Sequence, residues 1–388
     1  MQMEDLQREE LLRIEHLSVT FTQYDGWFSR KILPVIRDLS LRVSRGEIVA
    51  VVGSSGSGKS LLAHAVMGVL PYNGSCGGDI YYKGKQLTTK RIKQLRGNKI
   101  VLVPQSVSYL DPLMKVGEQV AGGKDRISLE KSRKALARYG LDKEVDNMYP
   151  FELSGGMARR VLIGTAVVEK PELVIADEPT PGLHMEAAVR VLSHFREIAD
   201  EGAGVLLITH DLELALKTAD RIVVFYAGTA VEEAACVDFD QEAALRHPYT
   251  RALFRAMPEH GFAPEPGIQP YVRDLPERCP YGPRCPKYRE ECSKEISYVS
   301  YQGGLVRCIC PGDEKEILPG ILSESEVLKE KMTSEPSSGE CSVVIFFQDI
   351  CRLHVFSDIT SCLEDNSLFF HNRNLTDRKS TRLNSSHT

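Results

Sequence analysis

The stretch Gly53-Ser54-Ser55-Gly56-Ser57-Gly58-Lys59-Ser60 constrains this chain more than any other. It fits the phosphate-binding pattern G-x-x-x-x-G-K-[ST] at every fixed position. Its flanks agree: Ile48–Val52 reads as a buried strand, and Leu61–Met67 reads as a helix. The glycines allow backbone conformations that turn successive N–H groups into one concavity. The following helix points its positive end at the same spot. Lys59 reaches the β- and γ-phosphates, and the Ser60 hydroxyl is placed to ligate Mg²⁺.

Around this loop the pattern alternates between strand and helix. Leu12-Arg13-Ile14, Leu17–Phe21 and Leu39–Val43 alternate apolar and polar residues as strands do. Tyr24, Trp27 and Phe28 sit in a loop between them; one of these rings is either a platform for an adenine ring or ordinary packing. Residues 77–84 read as a hairpin strand with its turn, and Ile100–Val103 as a buried strand ending at Pro104-Gln105. Residues 106–152 turn helical and charged, a helical insert. A helix over 157–169 precedes buried strands at 173–176, 205–209 and 222–226. This alternation predicts an α/β fold with a mainly parallel, doubly wound sheet.

The 388 residues suggest about two domains, with 42 % apolar content ordinary for a chain that buries a core. A net charge of −5 gives no basis for general nucleic-acid binding. No apolar run approaches the ~18 residues a membrane span needs. The first residues, Met1-Gln2-Met3-Glu4-Asp5, are unlike a secretion signal. A cytoplasmic location is the expectation. After about residue 240 prolines crowd a segment with little periodicity, an appended loop-rich module. Only Cys76 and Cys236 of the ten cysteines precede position 279. In a reducing compartment such clustering favours a metal site over disulfides.

Two further groups carry chemistry. Asp177 and Glu178 follow the buried strand 173–176. Downstream of a phosphate loop, Asp177 would hold Mg²⁺ and Glu178 would act as general base on the attacking water. Ser154-Gly155-Gly156 opens a helix and offers a second anion-binding geometry.

The order of phosphate loop, Gln105, Leu153-Ser154-Gly155-Gly156-Met157, Asp177-Glu178 and His210 resembles the nucleotide-binding subunit of ATP-binding-cassette (ABC) transporters over roughly residues 10–240. The resemblance implies a P-loop NTPase (RecA-like) ABC cassette with a helical subdomain. It makes Gln105 a sensor of Mg²⁺ and the γ-phosphate that relays to membrane subunits. Ser154, Gly155 and Gly156 become the signature that caps ATP bound to the other protomer, and His210 the switch histidine at the γ-phosphate. One set of motifs implies pairing with a second ABC ATPase subunit, identical or related. ATP then joins two cassettes and hydrolysis parts them. One departure stands out: where the family places the D-loop aspartate, this chain has His184.

His247-Pro248-Tyr249-Thr250-Arg251-Ala252-Leu253 resembles the extension of peptide/nickel-type importer ATPases. Cys279, Cys285, Cys292 and Cys308 follow with intervals of five, six and fifteen residues. Four thiolates in such a span suit one tetrahedral zinc or a cubane cluster. The subfamily resemblance favours a 4Fe–4S cluster over Zn²⁺, with Cys310 a competing fourth ligand. The expected organisation is an ATP-binding domain over 1–240, with its helical subdomain at about 106–158. A Cys-rich extension over 241–312 and a tail over 313–388 follow. The end, Asp377–His387, resembles a translated sequencing adapter.

The expected function is the ATP-hydrolysing subunit of an importer for short peptides or nickel, on the cytoplasmic face of the membrane. Its partners would be two permease subunits and an extracellular solute-binding protein. The alternatives are a soluble non-transport ABC ATPase and a weakly hydrolysing regulatory cassette.

Overall fold

The computed structural model describes residues 8–25, 29–122, 126–276 and 278–313. Its strands are β1 (Glu10–Asp25), β2 (Ser29–Ser44), β3 (Ile48–Val52), β4 (Gly74–Tyr82), β5 (Lys85–Gln86), β6 (Ile100–Val103), β7 (Leu173–Asp177), β8 (Gly204–Thr209), β9 (Arg221–Tyr226), β10 (Thr229–Ala235), β11 (Val299–Tyr301) and β12 (Gly304–Val306). Its α-helices are α1 (Lys59–Met67), α2 (Thr89–Leu95), α3 (Val116–Ala121), α4 (Arg126–Arg138), α5 (Gly155–Val167), α6 (Met185–Asp200), α7 (Leu212–Leu216) and α8 (Pro248–Ala256). The main path of the sheet runs β5-β4-β1-β2-β10-β9-β3-β8-β7-β6.

The parallel part is β6-β7-β8-β3-β9. Every residue of β3, β7 and β8 is buried, because helices cover both faces. Successive side chains serve different cores. Ile48, Ala50 and Val52 join Val205 and Leu207 on the face covered by α5 and α6. Val49 and Val51 join Leu206 and Ile208 on the face covered by α1 and β1.

The remainder departs from the mainly parallel sheet expected from sequence. β1, β2, β4 and β5 pair antiparallel, as does β10 with β9. Alternating burial was already visible there, and it is the mark of antiparallel strands with one face on the core. The segments Leu12–Ile14 and Leu17–Phe21 are one strand rather than two. A bulge at His16, whose φ is 50°, shifts the register between Ile14 and Leu17. The inserted residue lets Leu12 and Ile14 share a core with Leu17, Val19 and Phe21, although their parity differs.

The C-terminal segment is sewn to the main sheet. β12 pairs antiparallel with β10, and β11 with β12. The Glu232 carboxylate is fully buried and accepts from the backbone N–H groups of Arg246 (2.9 Å) and His247 (2.7 Å). Arg246 also pairs with Glu232 at 3.2 Å and Asp238 at 2.9 Å. Trp27, Phe28, Cys341, Cys351, Cys362 and the adapter-like end lie outside the described residues. Among the described residues no helix is long and apolar enough to cross a membrane.

Candidate nucleotide site

The carboxyl ends of β3, β7 and β8, neighbours in the sheet, bring the site together. β3 feeds the loop through Gly53. A Cβ at Gly53 would stand 2.1 Å from the Phe225 carbonyl oxygen at the end of β9, so only glycine fits. Gly58 takes φ 98° at the N-cap of α1, a conformation that a Cβ disfavours.

Lys59 is buried inside the loop. Its Nζ donates to the carbonyls of Gly53 (2.7 Å) and Ser54 (2.9 Å) and stands 4.0 Å from Glu178 Oε1. Burial lowers the pKa of this ammonium, opposed by the charges of Glu178 and Asp177. Ser60 Oγ donates to Asp177 Oδ1 at 3.0 Å. Burial pushes the Asp177 carboxyl up to about 6 despite that hydrogen bond. The Ser60 hydroxyl in the first turn of α1 and the Asp177 carboxylate at the end of β7 thus face each other where a hard divalent cation would bind.

Glu178 takes φ 45°, and its N–H donates to the Ile208 carbonyl at 2.8 Å. A non-glycine residue held there stores about 1–3 kcal/mol of strain, a cost that clusters at functional sites. The strain aims a carboxylate only 8 % exposed between two cations or donors. Oε1 faces Lys59, and Oε2 lies 2.8 Å from His210 Nδ1. Lys59, Ser60, Asp177, Glu178 and His210 therefore converge from three places in the sequence.

Gln105 follows β6 and is exposed. Ser154 caps α5 by accepting from the Met157 N–H at 3.3 Å, leaving an exposed helix start at Ser154 and Gly155. Arg159, to which the sequence reading gave no role, joins these two elements. Its Nη1 donates to the Pro104 carbonyl at 3.1 Å, and its charge acts on Asp177 and Glu178. Burial lowers its pKa, and its Nε is buried without a hydrogen-bond partner among the described residues. The available signal was a cation in the apolar run of α5. His184 is exposed at the N-cap of α6 and makes no side-chain capping bond.

The chain resembles the oligopeptide transport ATP-binding protein OppD of Escherichia coli, with 33 % identity over 79 % of this chain and 95 % of the relative. A family model described as ABC transporter matches residues 36–181. The chain belongs to the ABC transporter family of ATP-binding proteins. A second family model, described as oligopeptide/dipeptide transporter C-terminal region, matches residues 231–292 of this cassette protein. The oligopeptide transport protein OppD of Lactococcus lactis is 36 % identical over 75 % of this chain and 90 % of the relative. The dipeptide transport protein DppD of Haemophilus influenzae is 32 % identical over 79 % and 97 %. A solved dimeric ATP-binding cassette in a post-hydrolysis state with ADP and Pi superposes with a TM-score of 0.52 at 25 % identity. That match covers 58 % of this chain and 99 % of the solved one.

Outside the cassette core, the described cysteines Cys279, Cys285, Cys292, Cys308 and Cys310 are free thiols. Cys292 and Cys310 are buried with Ile296 and Ile309, and Cys279 packs against them. Burial raises the thiol pKa of Cys285 and Cys292, and pushes that of Cys279 up to about 12; that of Cys308 is also raised. Among the described residues no three His, Cys, Asp or Glu side chains are arranged to hold a metal ion. The iron–sulfur or zinc expectation for Cys279, Cys285, Cys292 and Cys308 thus finds no support in their arrangement. Of the candidate adenine platforms only Tyr24 is described; it is exposed, with Arg30 stacked 5.4 Å from its ring centre.

Proposed function

We propose that the chain is the ATP-hydrolysing subunit of an importer that takes up short peptides. The observation that carries this is the strained Glu178, fixed between Lys59 and His210 beside the Ser60–Asp177 pair. Lys59 and the loop N–H groups would hold the phosphates. Ser60 and Asp177 would hold Mg²⁺, with Gln105 completing its surroundings from the end of β6. Glu178 would take the proton of the attacking water, and His210 would hold that carboxylate and meet the γ-phosphate. The exposed Ser154-Gly155-Gly156 helix start suits capping a nucleotide on a second cassette, with positive helix end toward phosphate.

The cargo reading rests on the matching C-terminal region and on relatives named for oligopeptide and dipeptide transport. Those names favour peptides over nickel. The division into a cassette over 1–240 and an extension over 241–312 is part of this reading; the family matches at 36–181 and 231–292 support two parts in that order. Permeases, a solute-binding protein and a place at the cytoplasmic face of the membrane complete the proposal. His184 in place of an aspartate supports one further reading, a cassette that hydrolyses weakly beside a more active partner.

As the thiols stand they do not fit a metal, so no step is routed through one. Iron, sulfide and zinc analysis of anaerobically purified protein tests the remaining proposal of a cluster. Stoichiometric metal would show that the thiols regroup around it. The function itself is tested with Glu178→Gln in the assembled importer. ATP turnover and peptide uptake should both fall about 10²–10⁴-fold while ATP still binds; unchanged turnover would remove Glu178 from the mechanism.

A further inference from the structure

The C-terminal extension touches the phosphate loop itself. Ser54 Oγ donates to Gln269 Oε1, more than 200 residues away in sequence. The buried Tyr249 of α8 lies against the side chain and backbone of the same Ser54. Tyr249 also packs on Tyr226 with ring centres 4.4 Å apart, and Tyr281 approaches both rings at 5.4 Å. Tyr226 adjoins Phe225, the residue whose carbonyl closes over Gly53. Two successive residues of the loop are thus backed by the extension or by the strand it packs on.

The segment that carries Gln269 is pinned on both sides. On one side Arg284 donates to the carbonyls of Pro266 (3.0 Å) and Glu265 (3.2 Å), and to the Tyr226 hydroxyl at 3.2 Å. The Tyr281 hydroxyl donates to Glu265 at 2.7 Å. On the other side Val272 packs on the core, Arg273 donates to Gln23 at 2.8 Å, and Arg37 donates to the carbonyls of Leu275 and Pro276. Gln269 is held between these anchors, with its acceptor turned to the loop.

We infer that Gln269 is a positioning residue for the nucleotide: through Ser54 it braces the phosphate loop, so the extension sets the affinity for ATP. This rests on the ATP-binding reading above. A loop whose N–H groups are already aimed loses less freedom when phosphate binds. One hydrogen bond of this kind corresponds to about a fivefold change in affinity.

The test is equilibrium dialysis of Mg·ATP against the purified full-length chain, which needs no hydrolysis. Gln269→Ala should weaken ATP binding about fivefold. Ser54→Ala should weaken binding as much as Gln269→Ala, and the double variant should be no weaker than either. Wild-type affinity in Gln269→Ala would overturn the brace. So would effects that multiply in the double variant. Should Gln269→Ala fail to fold, the wild-type affinity of Ser54→Ala would overturn it instead. A wild-type chain that binds no ATP overturns the functional reading, an outcome distinct from all of these.

Discussion

His210 Nδ1 lies 2.8 Å from Glu178 Oε2, joining the residue after β8 to the residue after β7. The bond fixes the rotation of a carboxylate whose backbone is already held at φ 45°. His210→Ala would leave Glu178 facing the Lys59 ammonium at 4.0 Å, with no partner among the described residues on its other oxygen. The carboxylate would then swing toward the ammonium and away from water. We expect turnover to fall about 10²-fold or more, with ATP binding much less affected. Steady-state hydrolysis alongside direct ATP binding checks this; parallel losses in both would mean that His210 mainly supports the fold.

Arg159 predicts a different phenotype. Its guanidinium supports the Pro104 carbonyl, next to Gln105, and lends positive charge to Asp177. Arg159→Gln keeps a donor for Pro104 and removes the charge. Asp177 would bind its proton more tightly, and Mg²⁺ must compete with that proton. The acid limb of Mg²⁺-dependent hydrolysis should therefore move to higher pH. ATP hydrolysis followed against pH at a fixed, subsaturating Mg²⁺ concentration would show it, and an unchanged acid limb would rule the role out.

How much of this was legible in sequence depended on contact range. The phosphate loop, Asp177 and Glu178 were readable because each pairs a local motif with a buried strand beside it. The unbroken apolar runs of β3, β7 and β8 announced the parallel core. The bulge at His16 was not readable, since one extra residue reverses parity without breaking the alternation on either side. Arg159 and Gln269 were missed for a common reason. Each acts on a distant backbone or loop, Pro104 or Ser54, through a contact set by tertiary folding alone. The cysteine spacing suggested a metal site, yet it could not show that Cys292 and Cys310 pack as small hydrophobes with Ile296 and Ile309.

His184 stands at the N-cap of α6 with no side-chain bond to the first turn. Aspartate is among the best N-cap residues and also faces the positive end of the helix. His184→Asp should therefore raise stability by about 1 kcal/mol. A denaturant titration of the full chain would read this as a higher midpoint with unchanged slope. The same variant asks whether an aspartate there increases turnover of the paired cassettes. A lower midpoint would mean that His184 makes a compensating interaction at this turn.

Acid should destabilise the fold through His247 of the extension. His247 is buried, its Nδ1 accepts from the Tyr249 N–H at 3.0 Å, and the Tyr281 ring stands 5.7 Å away. Burial pulls its pKa down to about 3, whereas an unfolded histidine titrates near ~6.5. Above ~6.5 both states are neutral and His247 adds no pH dependence. As pH falls through that value, the unfolded chain takes a proton that the folded chain refuses, so stability is lost continuously down to about 3. At pH ~5 the loss is about 2 kcal/mol. Glu232, which accepts from the His247 N–H, has a pKa raised by burial and acts with the opposite sign. A comparison at one site separates the two. His247→Asn keeps a capping acceptor for Tyr249 and does not titrate. Between pH ~7 and ~5 the wild type should lose about 2 kcal/mol more than His247→Asn in paired denaturant titrations. Equal losses would show that His247 takes up its proton in the folded chain as well.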